Sequence, residues 1–142
     1  DYAFEEEKYR GAPDIRLHEI DVARPLEIAG ERIVPVSGHH SERFEVTGYR
    51  IGRMAYLTDF KTIADAEVGK LIGVELLVVN ALRFRPHPSH FNVGEALALI
   101  ARVAPRRALI THVSHEIGRH AATTALLPRG VELAYDGLEI II

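Results

Sequence analysis

Ala108, Leu109 and Ile110 form an apolar run preceded by Pro105 and followed at once by Thr111, His112, Ser114 and His115. The run is too short for a helix, so it reads as a buried strand of a helix-covered sheet, and that reading limits the chain to α/β architectures. In open α/β sheets the carboxyl ends of the strands are where ligands bind. A strand is also a rigid mount, able to hold an imidazole to the tolerance that metal binding or proton transfer requires. A lone histidine at a strand end is more often structural, so the reading depends on what else arrives at the same edge.

Composition narrows what could arrive there. The 142 residues suit one domain with a real core. The sequence contains no cysteine, so disulfides and thiolate ligands are excluded, and any metal must be held by His, Asp or Glu. The net charge of −3, with eight histidines taken as neutral, makes no general electrostatic case for nucleic acid or a membrane surface. No apolar run approaches the roughly 20 residues of a membrane span, and the start, DYAFEEEKYR, is acidic rather than a secretion signal. A cytoplasmic location is the expectation. The first residue is Asp rather than Met, which points to a natural protein beginning further upstream.

Along the chain, residues 2–13 read as a connecting segment and Ile15 to Ile20 as a half-buried strand with His18 on its polar side. Leu26 to Ile28 and Arg32 to Val36 read as a hairpin, with Pro35 placing the second strand at an edge or bulge. That strand leads into SGHHSER, where Gly38 permits unusual backbone angles just before His39 and His40. An exposed histidine pair in a loop is usually only solvated. Phe44 to Ile51 and Met54 to Thr58 form a second hairpin, and its last strand ends in Asp59, so YLTD repeats the pattern of LITH. A helix is expected from Thr62 to Leu71, then a continuous apolar strand from Glu75 to Asn80.

ALRFRPHPSHF is irregular because Pro86 and Pro88 forbid a helix, and it carries Arg83, Arg85, His87 and His90. Asn92 caps an amphipathic helix through Val103, so residues 75–110 make a strand–helix–strand unit with parallel strands. A last helix is expected around Ile117 to Leu127, then a hairpin turning at Asp136-Gly137. Several imidazoles and one carboxylate at strand ends and loops, His39, His40, Asp59, His90, His112 and His115, make a ligand set suited to Zn, Mn or Fe. Asp59 could bridge two cations, as a carboxylate can and a neutral imidazole cannot.

The order HHS, YLTD, SHFNVGEAL, LITHVSHEIG and closing YDGLEI resembles the C-terminal half of the metallo-β-lactamase fold hydrolases, and most of all the phosphoribosyl cyclic phosphate phosphodiesterase branch of the phosphonate operon. The resemblance covers the chain from about Leu17 onward. It implies half of an αββα sandwich, an α/β fold whose mixed sheet is covered by helices, with residues 1–142 as the C-terminal part of a longer domain. It implies His40, rather than His39, as a metal ligand, Asp59 as the bridging carboxylate and His112 as a ligand of a second metal. It places His90 beside the substrate phosphate as the catalytic acid. His39, Arg85 and His115 fall to substrate contact or to orienting the ligands.

The cofactors so implied are two divalent ions, Zn or Mn, that activate a hydroxide, and the substrate is a small cyclic phosphodiester. The family's HxHxDH motif occurs nowhere in the sequence. This chain alone is therefore expected to bind metal partially or not at all, to be inactive, and to form a homodimer if its sheet exposes an apolar face. The alternatives are a nuclease or another hydrolase on the same scaffold, nucleic acid being the less favoured partner, or a non-catalytic α/β interaction half-domain. A nucleotide-binding α/β domain is weakened by the lack of GxGxxG and GxxxxGK[ST].

Overall fold

The computed structural model describes residues 10, 11, 13 and 15–142. Apart from Arg10, Gly11 and Pro13, the expected connecting segment at 2–13 lies outside them. Among the described residues, seven strands form one sheet in sequence order: β1 (Leu26–Ile28), β2 (Glu31–Ser41), β3 (Phe44–Ile51), β4 (Met54–Leu57), β5 (Leu76–Asn80), β6 (Arg107–Thr111) and β7 (Val131–Leu133). Pairing is antiparallel from β1 to β4 and parallel from β4 to β7. The helices are α1 (Asp65–Gly69), α2 (Val93–Val103) and α3 (His120–Thr124), with a 3₁₀ turn at His115–Ile117.

The apolar run of β5 is split by strand parity between two cores. Leu77 and Val79 pack with Leu99, Val103 and Ile110 on the side of α2, whereas Leu76 and Val78 join Leu109, Met54, Leu138 and Ile140 on the other face. The four apolar residues before Asn80 are thus explained by burial on both sides. Helix α2 starts at a complete capping box, in which Asn92 Oδ1 accepts from the Glu95 amide and Glu95 Oε2 accepts from the Asn92 amide.

The first two of the three expected hairpins are present, and the first turns through Ala29 and Gly30, both at positive φ, as a two-residue hairpin turn requires. Pro35 sits within β2, but β1 pairs only with Glu31 to Ile33. Its missing donor therefore leaves no ladder bond unmade on that side.

Four expectations need correction. Ile15 to Ile20 is exposed and joins no strand of the sheet. The helix expected from Thr62 shrinks to Asp65–Gly69, because the Thr62 backbone exchanges hydrogen bonds with His39. The helix expected at 117–127 is broken into the 3₁₀ turn and α3 around Gly118, whose φ of 96° no helix accommodates. The closing hairpin does not form. β7 pairs in parallel with the free edge of β6, and Leu138 and Ile140 turn inward to cover the second core.

Candidate metal centre

Strands β2 and β4 both run antiparallel to β3, so β2 points the same way as β4, β5 and β6. The carboxyl ends of all four consequently meet at one edge of the sheet. His40 comes from the end of β2, Asp59 from just beyond β4, His90 from the loop after β5, and His112 from the first position after β6.

Alternation along β2 separates the adjacent histidines. Val36 and Gly38 are buried and His40, in the same phase, is partly so, whereas His39 is exposed. Gly38 contributes by having no side chain: a Cβ there would lie 2.2 Å from Phe60 Cε1 and 2.8 Å from the Thr62 carbonyl. Its φ is not in the positive range, so close approach rather than unusual backbone angles explains this glycine.

Phe60 follows Asp59 and is fully buried, and the side chain of Asn80 clamps its backbone. Asn80 Oδ1 accepts from the Phe60 amide at 2.8 Å, and Nδ2 donates to the Phe60 carbonyl at 3.0 Å. Asp59 and His112 themselves stand at φ of 62° and 57°. Non-glycine residues are uncommon in this left-handed region, and each such residue costs about 1 kcal/mol or more unless its surroundings hold it there. The two strained positions are the first turnings after two strands, and both aim a polar side chain into the same space.

Three donor atoms there form a compact triangle. His90 Nε2 lies 3.1 Å from Asp59 Oδ1 and 3.1 Å from His112 Nε2, and His112 Nε2 lies 3.3 Å from Asp59 Oδ1. With metal–ligand bonds of about 2.0–2.1 Å, ligand atoms around a tetrahedral ion stand roughly 3.3–3.4 Å apart. The 3.3 Å between Asp59 Oδ1 and His112 Nε2 matches that spacing, so these two residues fit a divalent ion, with His90 Nε2 beside both. His40, Asp59 and His90 form a second group whose donor atoms all lie within 4.8 Å of one another.

Asp59 and His90 belong to both groups, so His90, expected beside the substrate phosphate, stands in the middle of the cluster. His40 Nδ1 lies 3.0 Å from the Asp59 carbonyl. A carbonyl can only accept, so Nδ1 carries the proton and Nε2 keeps its lone pair free for a ligand, as in many metal-binding histidines.

His90 has only 12% of its side chain exposed, against 39% for both Asp59 and His112, so the site opens on their side. Burial, reinforced by the neighbouring His40 and His112, holds the His90 pKa below the ordinary imidazole value, and the hydrogen bond and charge of Asp59 oppose it only in part. At neutral pH the ring is uncharged. On its other side, His90 Nδ1 approaches Ser89 Oγ at 3.1 Å and His87 Nδ1 at 3.2 Å.

The remaining candidates stand outside this cluster. His39 lines a neighbouring groove of about 450 Å³ with Lys61, Thr62 and Pro88. Arg85 and Arg83 both bind the Glu116 carboxylate, which is thereby held below the usual carboxylate pKa, and His115 is exposed at the start of the 3₁₀ turn. Sequence reasoning missed Asn80 and Glu116. The only signal for Asn80 was a polar residue closing an otherwise apolar strand.

A family model described as the beta-lactamase superfamily domain matches residues 1–113. A crystal structure described as a new diphosphatase from the PhnP family superposes with a TM-score of 0.85 at 35% identity, over 89% of this chain and 49% of that one. The short form of human tRNase Z superposes at 0.61 and 17% identity, over 80% of this chain and 44% of that one, which speaks for the fold alone. An octanoyltransferase of Porphyromonas gingivalis (strain ATCC BAA-308 / W83) is 36% identical over 142 residues, 99% of this chain and 29% of its own length.

The seven-stranded mixed sheet with its site at the strand ends is the architecture of the metallo-β-lactamase fold hydrolases. This chain belongs to that family, matching the beta-lactamase superfamily domain over most of its length. It spans about half the length of the diphosphatase it resembles. Among the described residues, no helix is long and apolar enough to cross a membrane.

Proposed function

We propose that the full-length protein is a divalent-metal-dependent phosphodiesterase acting on a small cyclic phosphodiester. The observation that carries this reading is the approach of Asp59 Oδ1 and His112 Nε2 to 3.3 Å, with His40 on the Asp59 backbone carbonyl and the His90 ring 3.1 Å from both, at the ends of four strands that run the same way. The likeness to a PhnP-family diphosphatase supports phosphorus chemistry over other reactions of the scaffold.

In this reading His40, Asp59 and His112 would hold divalent ions, Zn or Mn, with the Asp59 carboxylate as the residue able to serve more than one of them. Bound there, such ions acidify water and neutralise phosphate oxygens. His90, less exposed than Asp59 and His112, donates a proton to the departing oxygen, a contribution typically of about 10²- to 10⁴-fold. A phosphate anion beside it offsets the burial that keeps the free ring neutral. Arg85, mostly exposed and already tethered to Glu116, is near enough in sequence to take a second anionic group of the substrate.

The test measures both turnover and bound metal on the full-length protein. His90→Ala should lower kcat by about 10²-fold or more with metal content unchanged, whereas Asp59→Asn and His112→Ala should lose metal. Metal loss from His90→Ala, or full occupancy in the other two, overturns the assignment. Substrates should include a five-membered cyclic phosphate, a linear dinucleotide, a nucleoside diphosphate and an octanoyl thioester. The last is included because one relative is named for octanoyl transfer. Hydrolysis of the thioester alone would replace the phosphodiesterase reading with acyl hydrolysis.

A further inference from the structure

At the opposite end of β2 from the metal centre, a groove of about 390 Å³ is lined by Arg32, Val34, Arg50, Gly52, Gly69 and Lys70. Arg32 and His40 lie eight positions apart on this one strand. At about 3.3 Å per residue, that separates the groove from the cluster by roughly 25 Å. None of its residues takes part in the phosphodiesterase reading.

Strand register brings the cations together. Val34 stands opposite Arg50 across the β2–β3 ladder, and Arg32, two positions before Val34, points to the same face. Lys70, just past α1, reaches the same strand and donates to the Pro35 carbonyl at 3.1 Å.

Arg50 is held in one orientation. Its Nε donates to the Gly52 carbonyl at 3.1 Å, and its Nη1 to the carbonyls of Lys70 at 2.7 Å and Ile72 at 2.9 Å. Carbonyls carry no net charge, so they orient the guanidinium without neutralising it. Among the described residues, Nη2 meets no acceptor and no carboxylate pairs with Arg50. The fork keeps its charge and one free nitrogen, and little rotamer freedom remains to be lost when an anion arrives.

Two carboxylates stand beside these cations among the described residues. Glu67 pairs with Lys70 at 2.8 Å, and the same oxygen also accepts from the Ser37 amide at 2.7 Å. Glu27 lies opposite Arg32 in the β1–β2 register but forms no ion pair with it. Three cations against two carboxylates, with Arg50 unmatched, leave the groove positive in a chain whose net charge is −3. Its walls are open as well, since a Cβ at Gly52 or Gly69 would meet no atom within 4 Å.

We infer that this groove binds a phosphate group, with Arg50 as the fixed fork and Arg32 and Lys70 as the flanking cations. A guanidinium suits that task because its planar fork matches two phosphate oxygens at once. Small phosphorylated molecules and nucleic-acid backbones both present such a group. A groove of this size, with three cations rather than a basic stripe, favours the first. The inference is independent of which bond the metal centre cleaves.

The experiment titrates sodium pyrophosphate into the full-length protein by calorimetry, in an Asp59→Asn background so that the metal centre takes no part. Arg32→Ala should weaken binding about 10-fold, as expected for one charge-assisted contact. Gly69→Glu should abolish it by setting a carboxylate into open space on the groove wall. Both positions are exposed, so neither change should disturb folding. Arg50 is left in place, because its carbonyl bonds also hold the turn after α1. With Asp59 restored, both variants should leave turnover at the metal centre unchanged.

Glucose 6-phosphate and a short single-stranded RNA are titrated in parallel. The sugar phosphate should bind, and the RNA no more tightly. RNA bound more tightly, and lost in the same two variants, overturns the choice of a small molecule while keeping the phosphate site. No binding of pyrophosphate at millimolar concentration, or binding unchanged in both variants, overturns the inference.

Discussion

At the scale of single residues, the site is held by groups that do no chemistry. Asn80 does for the Asp59–Phe60 turn what a strand partner would otherwise do, meeting both the amide and the carbonyl of Phe60. Asn80→Leu should keep the volume roughly constant but leave the buried Phe60 amide unpaired, at a cost of about 2–3 kcal/mol in urea unfolding. It should also weaken metal binding, because the strained φ of Asp59 loses its anchor.

Glu116 ties the His90 loop to the His112 loop through Arg83 and Arg85. Its pKa is lowered from the usual 4.5, chiefly by the hydrogen bond from Arg85 and then by that from Arg83. A carboxylate with a depressed folded-state pKa contributes stability that is present above the unfolded value and lost as pH falls through the folded one. Melting temperature measured from pH 5 down to pH 3 should therefore drop more steeply in the wild type than in Glu116→Gln. Parallel acid limbs would show that the ion pair contributes nothing. Asp59 and His112 were legible as candidates because YLTD and LITH end apolar strands in the same way. Their left-handed backbones were not, since nothing local to Thr-Asp or Thr-His requires a positive φ.

At the scale of elements, α2 and β5 were the most legible parts of the chain. Both carry their reasons locally: a capping box, an amphipathic period, and an apolar run that needs two covered faces. Asn92→Ala removes one of the two reciprocal bonds of that box and should cost about 1 kcal/mol by chemical denaturation. A change below about 0.3 kcal/mol would mean that packing of Val93, Ala96 and Leu99 holds the helix start without its cap. The helices expected after Thr62 and around Ile117 were overestimated for different reasons: His39 takes the backbone groups of Thr62 in the first, and the positive φ of Gly118 breaks the second. Periodicity reports which residues are apolar, and it cannot report which amide a distant strand will take.

At the scale of the whole molecule, folding assembles the site from segments up to 72 positions apart in the chain, from His40 to His112. Binding of a divalent ion should therefore stabilise the fold as a unit. At 100 times its dissociation constant, Zn or Mn should add about 2.7 kcal/mol, or roughly 6–10 °C in Tm for a chain of this length. Asp59→Asn should abolish that shift. A melting curve unmoved by metal in the full-length protein would remove the metal centre from the reading.

The sequence by itself determined the α/β class, the parallel β5–α2–β6 unit and the short roll of metal-competent side chains, because hydrophobic period and residue chemistry are local properties. Tertiary structure alone decided two things: that β7 extends the parallel edge, and that His90 lies between two donor groups with His87 at its back. Those outcomes depend on strand register and on which backbone groups find partners across the sheet, and both are settled only when distant segments compete for the same hydrogen bonds.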